Sequence, residues 1–322
     1  MSATRCYCGG ELVGEGFPVS EISEWAAEPG TTVWADFTSP TAEDLADIEA
    51  ELGLHHLAVE DAVTHFERAK IDRYDTHLFL VAYDAFLPDR SAELSTTAVK
   101  AFIAPNAVVT VHGPEFDMGR VVQRWDHDPD LARHGVAFLL WGLLDEIVDR
   151  HFDAVQQLDG ELERLEDVLF DERPRPREVQ RRSFELRKSL VLLRRVVLSM
   201  REVVNTLMRR DLEAFDEQMQ PYFVDVYDHV LRATEWTDSL RDLVTTILET
   251  NVGIQGNRMN LIMKKVTSWA AIIAVPTAIT GFYGQNLPYP GSGTAAGFWT
   301  STALILALSI ALYVGFKKKD WI

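Results

Sequence analysis

Two uncharged apolar runs dominate the C-terminal end of the chain. Val266 to Tyr283 contributes eighteen residues and Phe298 to Phe316 nineteen. At ~1.5 Å per helical residue each run reaches about 27–29 Å, close to the ~30 Å of a bilayer's hydrocarbon core. The stretch that joins them begins Gly281-Phe282-Tyr283-Gly284-Gln285-Asn286-Leu287-Pro288-Tyr289-Pro290 and carries no acid, lysine or arginine. This pattern predicts a membrane hairpin turning at the Gly-Gln-Asn stretch.

Upstream the pattern is different. Residues 1–130 mix short apolar runs with turn residues and read as an α/β segment. Strands are expected at Thr31 to Phe37, His77 to Asp84, Val99 to Ala104 and Asn106 to His112, the last two separated by a turn at Pro105-Asn106. Ser39-Pro40 predicts the start of a helix carrying Leu45, Ile48 and Leu52 and stopping near Gly53. From about Leu131 the pattern is helical. One helix is expected to about Phe170, a break at Asp171 to Pro176, and a second helix from about Arg177 to Arg210 with Leu186, Leu190, Leu193, Val197 and Met200 on one side. Pro221 suits a further helix start, and only Gly253 and Gly256 interrupt the pattern before Lys265. That helix is expected to continue into the first span, 63 residues to Tyr283, about 95 Å if unbroken. The resulting organisation is an α+β cytosolic domain (1–130), long acidic and stalk helices (131–265), a first transmembrane helix (266–283), an external loop (284–297), a second transmembrane helix (298–316) and a basic tail (317–322).

Charge sharpens this picture. The chain carries a formal net −18; residues 259–322 hold five lysines against Asp320, which leaves −22 on residues 1–258. An acidic front argues against a nucleic-acid partner and suits either cation attraction or plain solubility. Lys264-Lys265 precede the first span and Lys317-Lys318-Lys319 follow the second, whereas Gly284 to Gly297 has neither Lys nor Arg. The positive-inside rule then places both termini in the cytoplasm of a plasma or inner membrane, with no apolar signal segment after Met1. Acids concentrate at Asp145, Glu146, Asp149, Asp153, Asp159, Glu161, Glu163, Glu166 and Asp167. They read either as a solvated helix face or as a ring that gathers divalent cations once subunits assemble. Cys6 and Cys8 stand two residues apart with no further cysteine to complete a metal site.

One hairpin cannot conduct an ion, so a pore requires several copies around an axis. The first span is the better lining helix. It carries Thr267, Ser268, Thr277 and Thr280, with Asn257 and Asn260 before it, whereas the second is chiefly Leu, Ile and Ala. Neutral oxygen-bearing side chains suit a cation that keeps its water shell, as Mg2+ does. Contact between helices through small polar residues is the competing reading. Val266 and Ala274 are candidates for apolar constrictions that gate by dewetting. No Gly-x-x-x-x-Gly-Lys-Ser/Thr loop is present to indicate an ATP-driven pump, and no nucleophile–base constellation indicates an enzyme.

These residues also carry a resemblance. Tyr283-Gly284-Gln285-Asn286 resembles the aromatic-Gly-Met-Asn signature of the CorA family of magnesium and cobalt transporters, which includes ZntB-type zinc transporters. The likeness extends to Asn260, Met263-Lys264 and Thr267, to the tail Lys317 to Ile322, to Pro221 through His229, and to His55 through Asp61 with Arg68 and Lys70. It implies a funnel-shaped homopentamer in the lipid bilayer, with Asn286 rings receiving hydrated Mg2+ at the outer mouth and Gly284, Gln285, Thr277, Ala274, Val266 and Asn260 along the pore. It further implies Asp61 and Asp225 as regulatory acids that bind cytosolic Mg2+ between neighbouring subunits and favour closure. Two departures stand out: Gln285 replaces the usual methionine, and Leu287 to Gly297 contains no acid. The expected function is channel-like influx of Mg2+, with Co2+ and Ni2+ as further cargo. A Zn2+ transporter of the same architecture and a non-transporting membrane-anchored coiled-coil scaffold are the alternatives.

Overall fold

The computed structural model describes residues 2–64, 68–88, 93–171, 175–209, 217–285 and 291–322. The chain divides into two compact units, Met1–Ile247 and Leu248–Ile322.

The first unit is built on a seven-stranded sheet. Its strands are β1 (Ser2–Cys8), β2 (Glu11–Glu15), β3 (Thr31–Thr38), β4 (Lys70–Arg73), β5 (Leu78–Phe86), β6 (Ser95–Ala104) and β7 (Ala107–His112), in the order β2-β1-β3-β7-β6-β5-β4. Every pairing is antiparallel except β3 with β7, which run parallel with Val33 opposite Ala107 and Thr38 opposite His112. The turn at Pro105-Asn106 closes the β6–β7 hairpin, whose register runs from Ala104–Ala107 to Val99–His112. β3 is buried along almost its whole length, because helices cover both faces of the sheet there.

On one face lie α1 (Ile22–Ala27), α2 (Ala46–Leu52) and α3 (His56–Val63). Ile22, Leu45, Ile48, Ala58 and Val59 from that layer share a core with Val33, Ala35, Phe37, Phe79, Val81, Phe102 and Val109 of the sheet. α2 ends as expected, with Gly53 at φ 60 and its N–H bonded to the Glu49 carbonyl. Its start differs from the sequence expectation. Ser39 adopts φ 50, and Thr41 and Asp44 form a turn in which Asp44 Oδ2 accepts from the Thr41 backbone and hydroxyl, both at 2.7 Å. Helix begins only at Ala46. A serine in the left-handed region cannot serve as the extended N-cap that Ser39-Pro40 implied.

Against the other face lie α4 (Met118–His127), α6 (Val136–Leu169) and α7 (Pro176–Met208), with the short α5 (Pro129–Ala132) between. Trp125 of α4 meets Trp34 of β3 edge-to-face at 5.0 Å and donates its Nε1 hydrogen to the Leu139 carbonyl at 3.1 Å. Gly142 makes this fit possible: a Cβ there would lie 2.6 Å from the Trp125 Nε1. The long helix begins at Val136 rather than near Leu131, because Gly135 at φ 60, ψ −128 separates it from α5. Pro176 starts α7 at the expected break.

The helix predicted from Pro221 is α8 (Gln220–Tyr283), 64 residues with Pro276 inside it. Within the first unit it buries Phe223, Val226, Val230, Ala233, Thr237, Leu240, Val244 and Ile247. Their alternating spacing of three and four residues is the seam of a coiled coil, here closed against α6 and α7. Trp141 of α6 meets Tyr222 at 5.4 Å, and Arg194 of α7 pairs with Asp238 at 2.7 Å.

The second unit holds the rest of α8 and α9 (Ala295–Lys318). Thr294 caps α9 by accepting from the Gly297 N–H at 3.2 Å. Trp269 and Tyr313 bring the two helices together at 6.5 Å between ring centres. Val266, Ile273, Phe282, Leu304, Leu306, Ile310 and Val314 remain exposed. These are the two helices of the described chain that are long and apolar enough to cross a membrane.

One buried pair at the end of the parallel strands gives the first unit a pH signature. His112 Nδ1 lies 2.6 Å from the Gly113 carbonyl and Nε2 lies 3.2 Å from Asp36 Oδ2. Both partners are acceptors, so a ring protonated at both nitrogens satisfies each of them. Burial opposes that charge, but the hydrogen bond and charge of Asp36 outweigh it, and the His112 pKa stands above its ordinary 6.5. A raised histidine pKa contributes stability that is complete below about 6.5 and is lost as pH rises through the raised value. Asp36→Asn is therefore expected to lower the melting temperature of the detergent-solubilised full chain most at pH 6 and least at pH 9. An equal loss at both pH values would refute the ion pair.

Candidate functional site

The polar residues that suggested an ion path lie on one helix, and its geometry orders them. At about 100° per residue, Asn260, Thr267, Ala274, Thr277 and Val266 fall within a sector of about 120° around the α8 axis. Trp269, which meets Tyr313 of α9, points about 120° from the middle of that sector. The side of α8 that contacts its hairpin partner is thus not the side that carries Asn260 and Thr277. Asn260, Val266 and Thr277 are exposed and Ala274 is exposed beside them.

The backbone at the upper end of this path has its own chemistry. Pro276 supplies no N–H, so the carbonyl of Ile272 lacks its usual helical donor. The hydroxyl of Thr277 donates to the Ile273 carbonyl at 3.0 Å, and that of Thr280 to the Pro276 carbonyl at 2.8 Å. At about 100° per residue Thr277 stands in the sector of Asn260, whereas Thr280 stands within about 20° of Trp269, outside it. Gly284 ends the helix, its N–H bonded to the Thr280 carbonyl at 2.8 Å, and the Gln285 N–H reaches the Phe282 carbonyl at 3.3 Å. A Cβ at Gly284 would lie 2.9 Å from the Thr280 carbonyl oxygen, which is why the turn takes glycine. Asn286 and the residues to Pro290 lie outside the described residues.

The two acids expected to be regulatory occupy different elements of the first unit. Asp61 sits in the last turn of α3, its Oδ2 2.6 Å from the Lys70 ammonium on β4. The main chain of the same turn is held by Lys100, a buried β6 residue whose Nζ donates to the carbonyls of Asp61 at 2.8 Å, Ala62 at 2.9 Å and Thr64 at 2.5 Å. A cation suits the carbonyl-rich end of a helix. At the start of α3, His55 Nδ1 accepts the Leu57 N–H at 3.2 Å and its ring stacks on Tyr74. Asp225 stands near the start of α8, exposed, with His229 Nε2 3.8 Å away. Within one chain the two acids have different neighbours, Lys70 for Asp61 and His229 for Asp225.

The acidic stretch of α6 does not behave as one surface. Glu146 is buried and Asp145 nearly so, and both meet arginines of α4. Arg120 Nε lies 2.9 Å from Glu146 Oε1, and Arg124 bridges Asp145, Glu146 and Asp149. Burial pushes the Glu146 carboxyl pKa up while Arg120 and Arg124 pull it back. At this end the acids are the anionic half of a helix–helix contact; the solvated face and the cation ring both give way to pairing. Asp145, Asp149 and His229 also place ligand atoms within 4.8 Å of one another, with Arg124 occupying both acids. Arg120 and Arg124, one turn apart on an amphipathic helix, are the partners that the sequence pattern alone did not reveal.

Comparison with known proteins bears on this site. A family model described as CorA-like Mg2+ transporter protein matches residues 29–318. The chain is 29% identical over 301 residues to the cobalt/magnesium transport protein CorA of Thermotoga maritima, covering 92% of this chain and 85% of that protein. It is 28% identical over 311 residues to the protein of the same description from Methanocaldococcus jannaschii, covering 94% and 95%. The complete structure of the M. jannaschii CorA magnesium transporter superposes with a TM-score of 0.80 at 23% identity, over 100% of this chain and 99% of that one.

Arg124→Ala leaves three carboxylates, one of them buried, short of their shared cation. The expected cost is about 1–3 kcal/mol of stability, discounted for the exposed side of the cluster. Arg124→Lys should recover only part of it, since one ammonium cannot bridge three acids as a guanidinium does. Denaturant unfolding of the full chain in detergent measures both; an Arg124→Ala midpoint equal to wild type would exclude the bridging role.

Proposed function

This chain belongs to the CorA-like Mg2+ transporter family, and from that premise we propose that it carries Mg2+ and Co2+ through a pore lined by α8, not by an enzymatic cycle. The observation that carries the reading is the single sector of α8 that holds Asn260, Thr267 and Thr277 and is turned away from the α9 contact. Ni2+ is a further cargo of the same coordination chemistry.

The pore is formed by several copies, five by family resemblance, in the cell membrane with both termini cytoplasmic. Such an assembly would give the exposed apolar faces of α8 and α9 neighbours and lipid. Mg2+ gives up its waters reluctantly, so the path offers neutral oxygens that hold the hydrated ion from outside. Asn286 forms the first ring, Thr277 and Asn260 later ones, and Val266 and Ala274 narrow apolar collars between them. A divalent cation entering a negative cytoplasm gains about 4.6 kcal/mol per 100 mV, so the electrochemical gradient alone drives influx. Residues 259–322 contain no His or Cys, which disfavours site-by-site ligation of Zn2+.

Closure follows from load. Asp61 of one copy and Asp225 of the next bind cytosolic Mg2+ between them; at low Mg2+ the carboxylates repel and the interface loosens.

Reconstituted in liposomes with an inside-negative potential, the protein is expected to pass Mg2+ and Co2+, and Asn286→Ala to abolish the flux. Undiminished flux in that variant would reject the outer ring. Separately, Asp61→Ala and Asp225→Ala should each weaken the protection from protease that Mg2+ gives the full-length protein. Protection curves identical to wild type would remove the sensor role.

A further inference from the structure

The end of α3 is gripped by two lysines that do different things. Lys100 holds the main chain: its ammonium is buried and bonded to three backbone carbonyls, so it fixes where the turn sits. Lys70 holds the side chain of Asp61 itself, at 2.6 Å. Lys70 and Asp61 are each only partly covered, with 28% of either side chain exposed. An ion from solution can therefore reach the same carboxylate.

We infer that Lys70 is a resident counter-ion of Asp61 that competes with the divalent cation and thereby sets the Mg2+ concentration at which the sensor responds. The inference rests on the reading of Asp61 as a sensor acid. A carboxylate that accepts from an ammonium presents less free negative charge, and a monovalent cation within a few ångströms repels an incoming divalent one. Binding is then an exchange: the Asp61–Lys70 contact opens and Mg2+, with its waters, takes the carboxylate.

The surroundings make that exchange local. Both backbones are fixed, α3 by Lys100 and β4 by its antiparallel ladder, in which Lys70 lies opposite Val81. Only the four-carbon stem of Lys70 has to move. It does not become an isolated charge when it leaves, because Asp72 Oδ2 lies 2.9 Å from the same nitrogen. The ring of Phe79, 5.9 Å from the ammonium, gives it a second resting contact. A lysine with a ready alternative acceptor tunes an affinity without blocking the site.

The test is a Mg2+ titration of chymotrypsin resistance in the full-length protein in nanodiscs, a protease that does not cut at lysine. Lys70→Gln is expected to move the midpoint to about two- to fivefold lower Mg2+, the range of a partly exposed ion pair. Lys70→Met, which keeps the stem, is expected to do the same, and Lys70→Arg to stay near wild type. Melting in EDTA establishes that each variant is folded, and whichever neutral variant is folded decides. A midpoint equal to wild type in that variant, with Asp61→Ala still shifted, overturns the inference and spares the sensor. Wild-type protein without Mg2+-dependent protection, or with protection unaltered by Asp61→Ala, removes the sensor reading and the inference with it.

Discussion

Apolar side chains that find no partner within their own chain set the terms for this molecule. In the second unit α8 and α9 touch through Trp269 and Tyr313 and leave Ile273, Phe282, Leu304, Ile310 and Val314 bare. Water would not tolerate such a surface. Hydrocarbon tolerates it only if every backbone polar group is satisfied along the segment, which restricts the spans to helices. Pro276 removes one donor from α8's ladder, and the Thr277 and Thr280 hydroxyls beside it donate to carbonyls of the same helix.

Much of this was legible before any coordinates. α8 could be read because only Gly253 and Gly256 interrupt the helical pattern between Pro221 and Lys265, and the spans from their length and lack of charge. β5 was legible as the apolar run His77 to Asp84, and β6 and β7 as two runs, the second rich in valine, separated by the Pro105-Asn106 turn. β1 was not anticipated. Its pattern is too short to stand alone, and the strand exists because Ser2 to Cys8 pairs along the whole of β3. The start of α2 was misplaced because a serine before a proline looks like a cap, whereas Thr41 and Asp44 close a turn of their own. Local signals carry local structure, and pairings across many residues do not announce themselves.

The same limit applies to charge. A net of −22 on residues 1–258 reads as a broad cation-attracting field. The folded unit breaks that field into pairs, with Arg120 and Arg124 on Asp145, Glu146 and Asp149, Arg150 on Asp84, and Arg194 on Asp238. Arg150 reaches a fully buried Asp84 at 2.7 Å from between the rings of Phe86 and Phe116, a contact no helical or strand period could suggest. What remains free is smaller and more selective than the sum of charges. Asp225 is among the exposed acids, with His229 rather than an arginine as its neighbour.

α8 also carries residues of both units, Asp225 in the first and Asn260 in the second, 35 residues apart in the sequence. A helix transmits a displacement at one end as long as its own hydrogen bonds hold, and the seam from Phe223 to Ile247 stiffens the part nearest Asp225. The spacing runs one step further, to the buried Asn251. Gly253 and Gly256 follow, exposed and with no side chain or neighbour within 4 Å of where a Cβ would stand. Each glycine lowers helix stability by about 1 kcal/mol relative to alanine, so this turn has a weaker intrinsic helix propensity than alanines would give it. Asn260 lies just past it. The packed stretch and the glycine turn thus owe their character to different residues: buried side chains hold the one, and missing side chains lower the helix propensity of the other.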